Sequence, residues 1–333
     1  MTTKTRYFVI ISLLVLTVGL GTGLMAYYVG FPTSALTRAG GPDELQFVPN
    51  DAALVAFADV QHIMTSDLRQ KVRSLMPTKE NGQEQFQNQT GINIETDIDR
   101  VVFAVTPGLD PTVRPGNFLV LARGRFDQVK IEALMREHGA TVEQYKDARV
   151  ILAPEHQGAP ISVSFLQPGL AAIGTTNLVH GAVDLKAGGS NITTNDDVMH
   201  FIRDLDAANA WAVGRFDVLA SQTRLPAQVS QKLPAIQWFS ASAQIDSGIR
   251  ASILAEARDE DAGNALRDVV RGVMGLVKLQ APAQPALDTV VRSLELGGTG
   301  KTVTLSFEVP PAVFDTLAAA RKAGQSTATP LNH

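Results

Sequence analysis

The stretch Tyr7–Val29 (YFVIISLLVLTVGLGTGLMAYYV) constrains this chain more than any other, because it holds no charged residue. As a helix it reaches roughly 34 Å, enough to cross a hydrocarbon core of about 30 Å. The bilayer interior has no water for backbone N–H and C=O groups, and a helix satisfies those groups within itself. Lys4 and Arg6 precede the stretch, whereas only Arg38 follows before the acidic pair Asp43 and Glu44. The excess of positive charge before the span places residues 1–6 in the cytoplasm and the large remainder outside. Tyr7 at one end and Tyr27 and Tyr28 at the other suit the membrane–water interfaces. The expectation is a single-pass helix over 7–30 in the inner (plasma) membrane, carrying a periplasmic or extracellular body.

A cleaved signal peptide is the rival reading. Its apolar core is only about 7–15 residues long, and the available small-residue site, Thr33-Ser34-Ala35, lies late after a longer run. The chain has no cysteine, which excludes a lipid anchor on a mature N-terminal Cys, disulfides, thiolate chemistry and Cys-ligated metals. Gly19 and Gly23 form a GxxxG inside the span, a close-packing motif for membrane helices, and mark the positions through which a homodimer would pair.

Residues 31–45 open with FPTSALTRAGGPD and read as a flexible tether. The rest of the chain is long enough for one large or two ordinary domains, and the 45% hydrophobic content leaves material for a real core after the membrane segment is set aside. The net charge of −4 and the absence of any Lys/Arg cluster weigh against nucleic acid, whose binding rests on neutralising phosphates.

The body reads as α+β. Ala53–Val60 is an apolar run with β-branched and aromatic members, a buried strand. Met64, Leu68, Val72, Leu75 and Met76 share one helical face, and Pro77 ends that helix. After a Gln-rich excursion, 78–90, come strands over Arg100–Thr106 and Asn117–Arg123. Asp127 caps a helix containing Ile131, Leu134 and Met135, which Gly139 closes. Strands are expected at Thr141–Tyr145 or Arg149–Ala153, at Ile161–Leu166 and at Leu170–Gly174, then a helix over Thr175–Lys186. Beyond Asn191 the expected elements are a helix over Asp197–Leu205, a strand over Asn209–Phe216 and a helix from Asp217. A hairpin of Ile236–Ile245 with Gly248–Ala257 comes next, turning at Asp246-Ser247-Gly248. Asp259–Leu279 is a long helix, a second helical face ends at Leu294, and Lys301–Val309 is the last strand.

The halves resemble each other in order. DAALVAFADV (Asp51–Val60) matches DAANAWAVGRFDV (Asp206–Val218) with a gap, and each half continues with strands and an acid-capped helix. The reading is a tandem duplication of a strand-helix-strand-strand-helix-strand unit, with antiparallel sheets and helices on one face. The subdomains would be 46–190 and 191–323, with 324–333 as a disordered tail. The opening Pro49–Val60, with its P-x-D-A and apolar strand, and Gly91–Ile98, with its G-I-x-x-x-x-D-I, resemble a group of uncharacterised bacterial membrane-anchored proteins. The resemblance implies an extracytoplasmic α+β domain and no activity.

Chemical motifs are scarce. Gly297-Gly298-Thr299-Gly300-Lys301-Thr302 ends like a phosphate-binding loop, but Glu295 stands where the first glycine is required and a strand follows instead of a helix. A tight hairpin turn explains the glycines, and no nucleotide is expected. His200 and Asp204 stand four apart on one helix face, with Asp196, Asp197 and Asp206 nearby, so His200, Asp204 and Asp197 are the candidate metal ligands. The competing reading has the acids favouring a helix start on a solvated face. His62, His138, His156 and His180 are scattered without HExxH spacing, and there is no G-x-S-x-G elbow. Trp211 and Trp238 fall in strands and read as core or sheet-face residues rather than ligand stackers. Asn88 and Asn191 begin glycosylation sequons that matter only in a host with that machinery. No catalytic residue and no cofactor is assigned. The expected function is a membrane-anchored binding or assembly protein with an envelope partner. The alternatives are an extracytoplasmic enzyme with a site assembled from distant residues and a carrier of hydrophobic ligands.

Overall fold

The computed structural model describes residues 41–75, 87, 91–107, 117–154, 160–205, 207–222, 235–281 and 285–316. The expected membrane helix over 7–30, with Gly19 and Gly23, lies outside them, as do the Gln-rich excursion apart from Gln87 and the tail. Among the described residues no helix is long and apolar enough to cross a membrane, which says nothing of β-barrels.

The first half of the chain holds β1 (Leu54–Asp59), α1 (Val60–Thr65), α2 (Asp67–Leu75), α3 (Ile94–Asp97), β2 (Ile98–Val105), β3 (Phe118–Gly124) and α4 (Gln128–Glu137). It continues through β4 (Thr141–Tyr145), β5 (Ala148–Leu152), β6 (Ile161–Gln167), β7 (Leu170–Thr175) and α5 (Thr176–Leu185). The second half holds α6 (Asp196–Asp204), β8 (Ala210–Arg215), α7 (Phe216–Gln222), β9 (Ile236–Ile245) and β10 (Ile249–Ala257). It closes with α8 (Glu260–Gln280), α9 (Pro285–Arg292), β11 (Glu295–Gly297) and β12 (Thr302–Val309).

Among the described residues all twelve strands form one sheet in the order β11-β12-β10-β9-β8-β1-β2-β3-β7-β6-β5-β4, and every pairing is antiparallel. The expected separate sheets are therefore one. The strand that opens each half lies at the centre, with Val55 opposite Val213 and Phe57 opposite Trp211. The Phe57 and Trp211 rings sit 5.6 Å apart. The β1–β8 pairing crosses the boundary expected at 190/191.

Helices cover both faces, where cover on one face was expected. On the first face α5 and α6 pack Leu178, Val179, Val183, Val198 and Ile202 against Val55, Phe57, Val102, Leu119, Leu121, Trp211 and Val213. On the second, Val60, Ile63 and Met64 of α1 pack against Val101, Phe103, Val120 and Ala122. Val290 of α9 and the following Leu294 pack there against Ala210, Ala243, Ala251 and Phe307. The physical reason lies in β1 and β8. Their runs LVAFA and AWAVG are apolar without alternation, and four or five successive residues of each are buried. A strand buried on both sides needs cover on both sides.

The helix expected to run from Met64 to Met76 is broken at Ser66, which is extended (φ −63°, ψ 148°). Its hydroxyl donates to the Ile63 carbonyl at 2.6 Å and accepts the Arg69 N–H, so one side chain ends α1 and starts α2. Elsewhere the local signals hold. The Asp127 carboxylate accepts the Lys130 N–H, and Gly139 closes α4 at φ +90°. Both alternatives for the fourth strand exist, as the hairpin β4–β5 around Lys146-Asp147.

Candidate functional site

On the first face the sheet changes character beyond β8. Trp211 and Val213 face α6, and the same face of β9 and β10 presents Ser240, Ser242, Gln244, Arg250 and Ser252 beside Trp238 and Leu254, which pack against the first core. The C-terminal end of α6 borders this polar strip. Asp204, Leu205, Ala207, Ala208, Ser242, Gln244, Arg250, Ala251 and Ser252 line an open concavity of about 430 Å³. Asn195 holds α6 in place: its side chain accepts the Val198 N–H and donates to the Asn50 carbonyl of the first half. Asn209 clamps the far end of β9 by bonding both the N–H and the C=O of Ile245. The Ser252 and Ser306 hydroxyls meet at 3.2 Å across β10 and β12.

Beside this strip, His62 Nε2 lies 2.6 Å from Asp246 at the β9–β10 turn, and Gln244 donates to the same carboxylate. The His62 contact, with Gln244 helping, holds the Asp246 carboxyl below its ordinary range. This ties α1 to the turn. The rim thus offers hydrogen-bond donors and acceptors with one carboxylate (Asp204) and one guanidinium (Arg250), in a shape open to solvent.

The candidate metal ligands fall as their spacing places them. Asp197 is in the first turn of α6, His200 is exposed with its ring 5.6 Å from that of Phe201, and Asp204 reaches the concavity. Among the described residues no group of three or more His, Cys, Asp or Glu side chains could hold a metal ion; Asp206 lies outside them. The glycine run before β12 is a hairpin turn. Gly298 has φ +88°, and a Cβ there would stand 2.3 Å from the Thr302 carbonyl oxygen. Lys301 is bound to Glu256 at 2.5 Å instead of being free for a phosphate. Trp211 is buried, and Trp238 is half-buried between Phe201 and the Arg215 guanidinium.

Sequence spacing missed a second polar cluster, at the β4 edge of the sheet. The Tyr145 and His180 rings stack at 3.8 Å, nearly parallel. His180 Nε2 lies 2.7 Å from Glu143, and the Tyr145 hydroxyl donates to Asp184 at 3.2 Å. The Lys146 ammonium beside Asp184 (2.5 Å) holds that carboxyl below its ordinary range, and Asp184 in turn raises Lys146. Lys186 does the same to Asp147 at 2.7 Å. Each of these groups finds its partner within the cluster, so it fastens α5 to the edge hairpin. The residues stand more than thirty positions apart in the chain, and no motif could have joined them.

No family model matches the chain, and no curated protein matches it. Among solved structures, crystal form I of TP0453, a Treponema membrane-associated protein, is similar at 10% identity with a TM-score of 0.42, over 87% of this chain and 99% of that one. A likeness this low carries no argument about activity.

Proposed function

We propose that this chain is a single-pass, membrane-anchored protein whose extracytoplasmic body binds or assembles with an envelope partner without catalysis. The observation that carries this reading is the open concavity at the α6 end of β9 and β10, with its cluster of polar side chains. Beside Leu205 and three alanines its walls carry two serines, a glutamine, Asp204 and Arg250, side chains that recognise a polar surface by hydrogen bonds and charge. Its openness to solvent also weighs against the hydrophobic-ligand carrier, which calls for an apolar enclosure. The uncharged segment Tyr7–Val29 supplies the anchor, with Gly19 and Gly23 as the pairing positions if the anchors dimerise.

The same reading includes a duplication. From the central pair the order outward is β1-β2-β3-β7 on one side and β8-β9-β10-β12 on the other. A helix follows the first strand of each set, α1 or α7, and another follows the third, α4 or α8. The matched segments Asp51–Val60 and Asp206–Val218 contain the two central strands.

The test is photo-crosslinking in intact cells from the full chain carrying a crosslinker at Ser242 or Ser252. A defined envelope protein captured at both positions, and not at exposed Lys130 on α4, supports the reading. Absence of any captured protein at both positions contradicts it.

A further inference from the structure

Helix α8 has two apolar faces, and the described residues cover one of them. Leu266 and Val277 are buried, with Val270 and Met274 half-buried beside them, and Val277 packs against Ala281 and Val291. Val269, Val273, Leu276 and Leu279 point elsewhere and are 45, 46, 61 and 81% exposed. At about 100° per residue these four share an arc of roughly a third of the helix circumference. Gly272 and Gly275 have nothing within 4 Å of where a Cβ would stand, so no described residue covers this side. Apolar stripes of this kind on a folded body mark a surface that meets something apolar.

We infer that α8 lies on the bilayer that anchors the chain, with this stripe seated at the boundary between headgroups and acyl chains. The inference rests on the anchor proposed above. Two observations favour lipid as the occupant. The chain between Val29 and Asp43, where the first described helical turn begins, can reach at most roughly 50 Å. A body held that close meets the membrane at high effective concentration. From Val269 to Gln280 the helix carries no acid and two bases, Lys278 and Arg271, the latter paired with Asp268 at 2.9 Å, both on the side away from the stripe. Leucines and valines on one side with bases on the other are the composition of helices that lie in the plane of an anionic interface.

The absence of cysteine permits a direct test. Single variants Leu276→Cys, Lys278→Cys and Leu16→Cys of the full chain are labelled with an environment-sensitive fluorophore and reconstituted in vesicles of phosphatidylethanolamine and phosphatidylglycerol. Some of the lipids carry a nitroxide quencher near the top of the acyl chain. The expected result is a blue shift and loss of most emission at Leu276 and Leu16, with Lys278 little changed. Adding Val273→Glu to the Leu276→Cys variant should restore the Leu276 emission. Quenching at Leu16 without quenching at Leu276 overturns the inference and leaves the anchor standing. Quenching at neither position overturns the anchor and the inference with it. Label-to-label coupling at Leu276 without lipid quenching assigns the stripe to a second copy and also overturns the inference.

Discussion

Asp99 occupies the bulge where β2 slips register against β3, between the pairs Ile98–Gly124 and Arg100–Arg123. Burial pushes its carboxyl above the ordinary value, with Arg125, Arg100 and Arg123 drawing it partly back. A carboxyl whose folded pKa is raised weakens the fold as pH rises from its unfolded value of 3.8 through the folded one, and the full cost remains at neutral pH. Asp99→Asn should therefore raise the urea midpoint at pH 7, and the gain should vanish below about pH 3.8. Glu44 poses the opposite case. It is wholly buried and paired with Arg123, whose guanidinium Nε donates to it. Arg123→Met strands that carboxylate in the core and should cost about 3–5 kcal/mol in chemical denaturation. A loss below about 1 kcal/mol, the scale of an exposed pair, would show that water reaches Glu44.

Helix α6 builds the concavity and depends on its start. Asn195→Ala removes the bond to Val198 N–H and the bridge to Asn50, and should cost about 1–2 kcal/mol in urea unfolding. The same substitution should weaken crosslinking from Ser242, because Asp204 and Leu205 line the concavity from the end of this helix. The elements were legible in the sequence wherever a local rule suffices. Asp127 and Asp259 cap α4 and α8, Gly139 ends α4, and the strands β8 to β10 and β12 begin within a residue of their expected places. Ser66 shows the limit. Apolar residues at i and i+4 read straight through one extended residue, because Met64 and Leu68 stay on the inward side across the break. The candidate site was less legible. Asp204 was singled out, but for a metal. Ser242, Gln244, Arg250 and Ser252 look like ordinary alternation within a hairpin. Only strand register decides that they face the open end of α6 while Ala243 and Ala251 face the core. The Tyr145–His180 stack is assembled across thirty-five positions and leaves no local trace.

At the scale of the whole molecule, the consequence of one sheet is cooperativity. Phe57, Trp211, Val55 and Val213 form a core shared by both halves, and β1 bonds β8 along its length. Neither central strand is an edge, so separating the halves would expose apolar surface and unpaired backbone together. Calorimetry on the full chain in detergent should give a single transition for the sheet, with calorimetric and van't Hoff enthalpies equal. Two separated transitions would mean that the halves fold as independent domains. The central claim is that Tyr7–Val29 holds this sheet on the outer side of the cytoplasmic membrane. The most direct measurement fuses, after Leu331, either an enzyme active only outside the cytoplasm or one active only within it. The predicted result is activity from the first fusion and none from the second; the reverse pattern would contradict the claim.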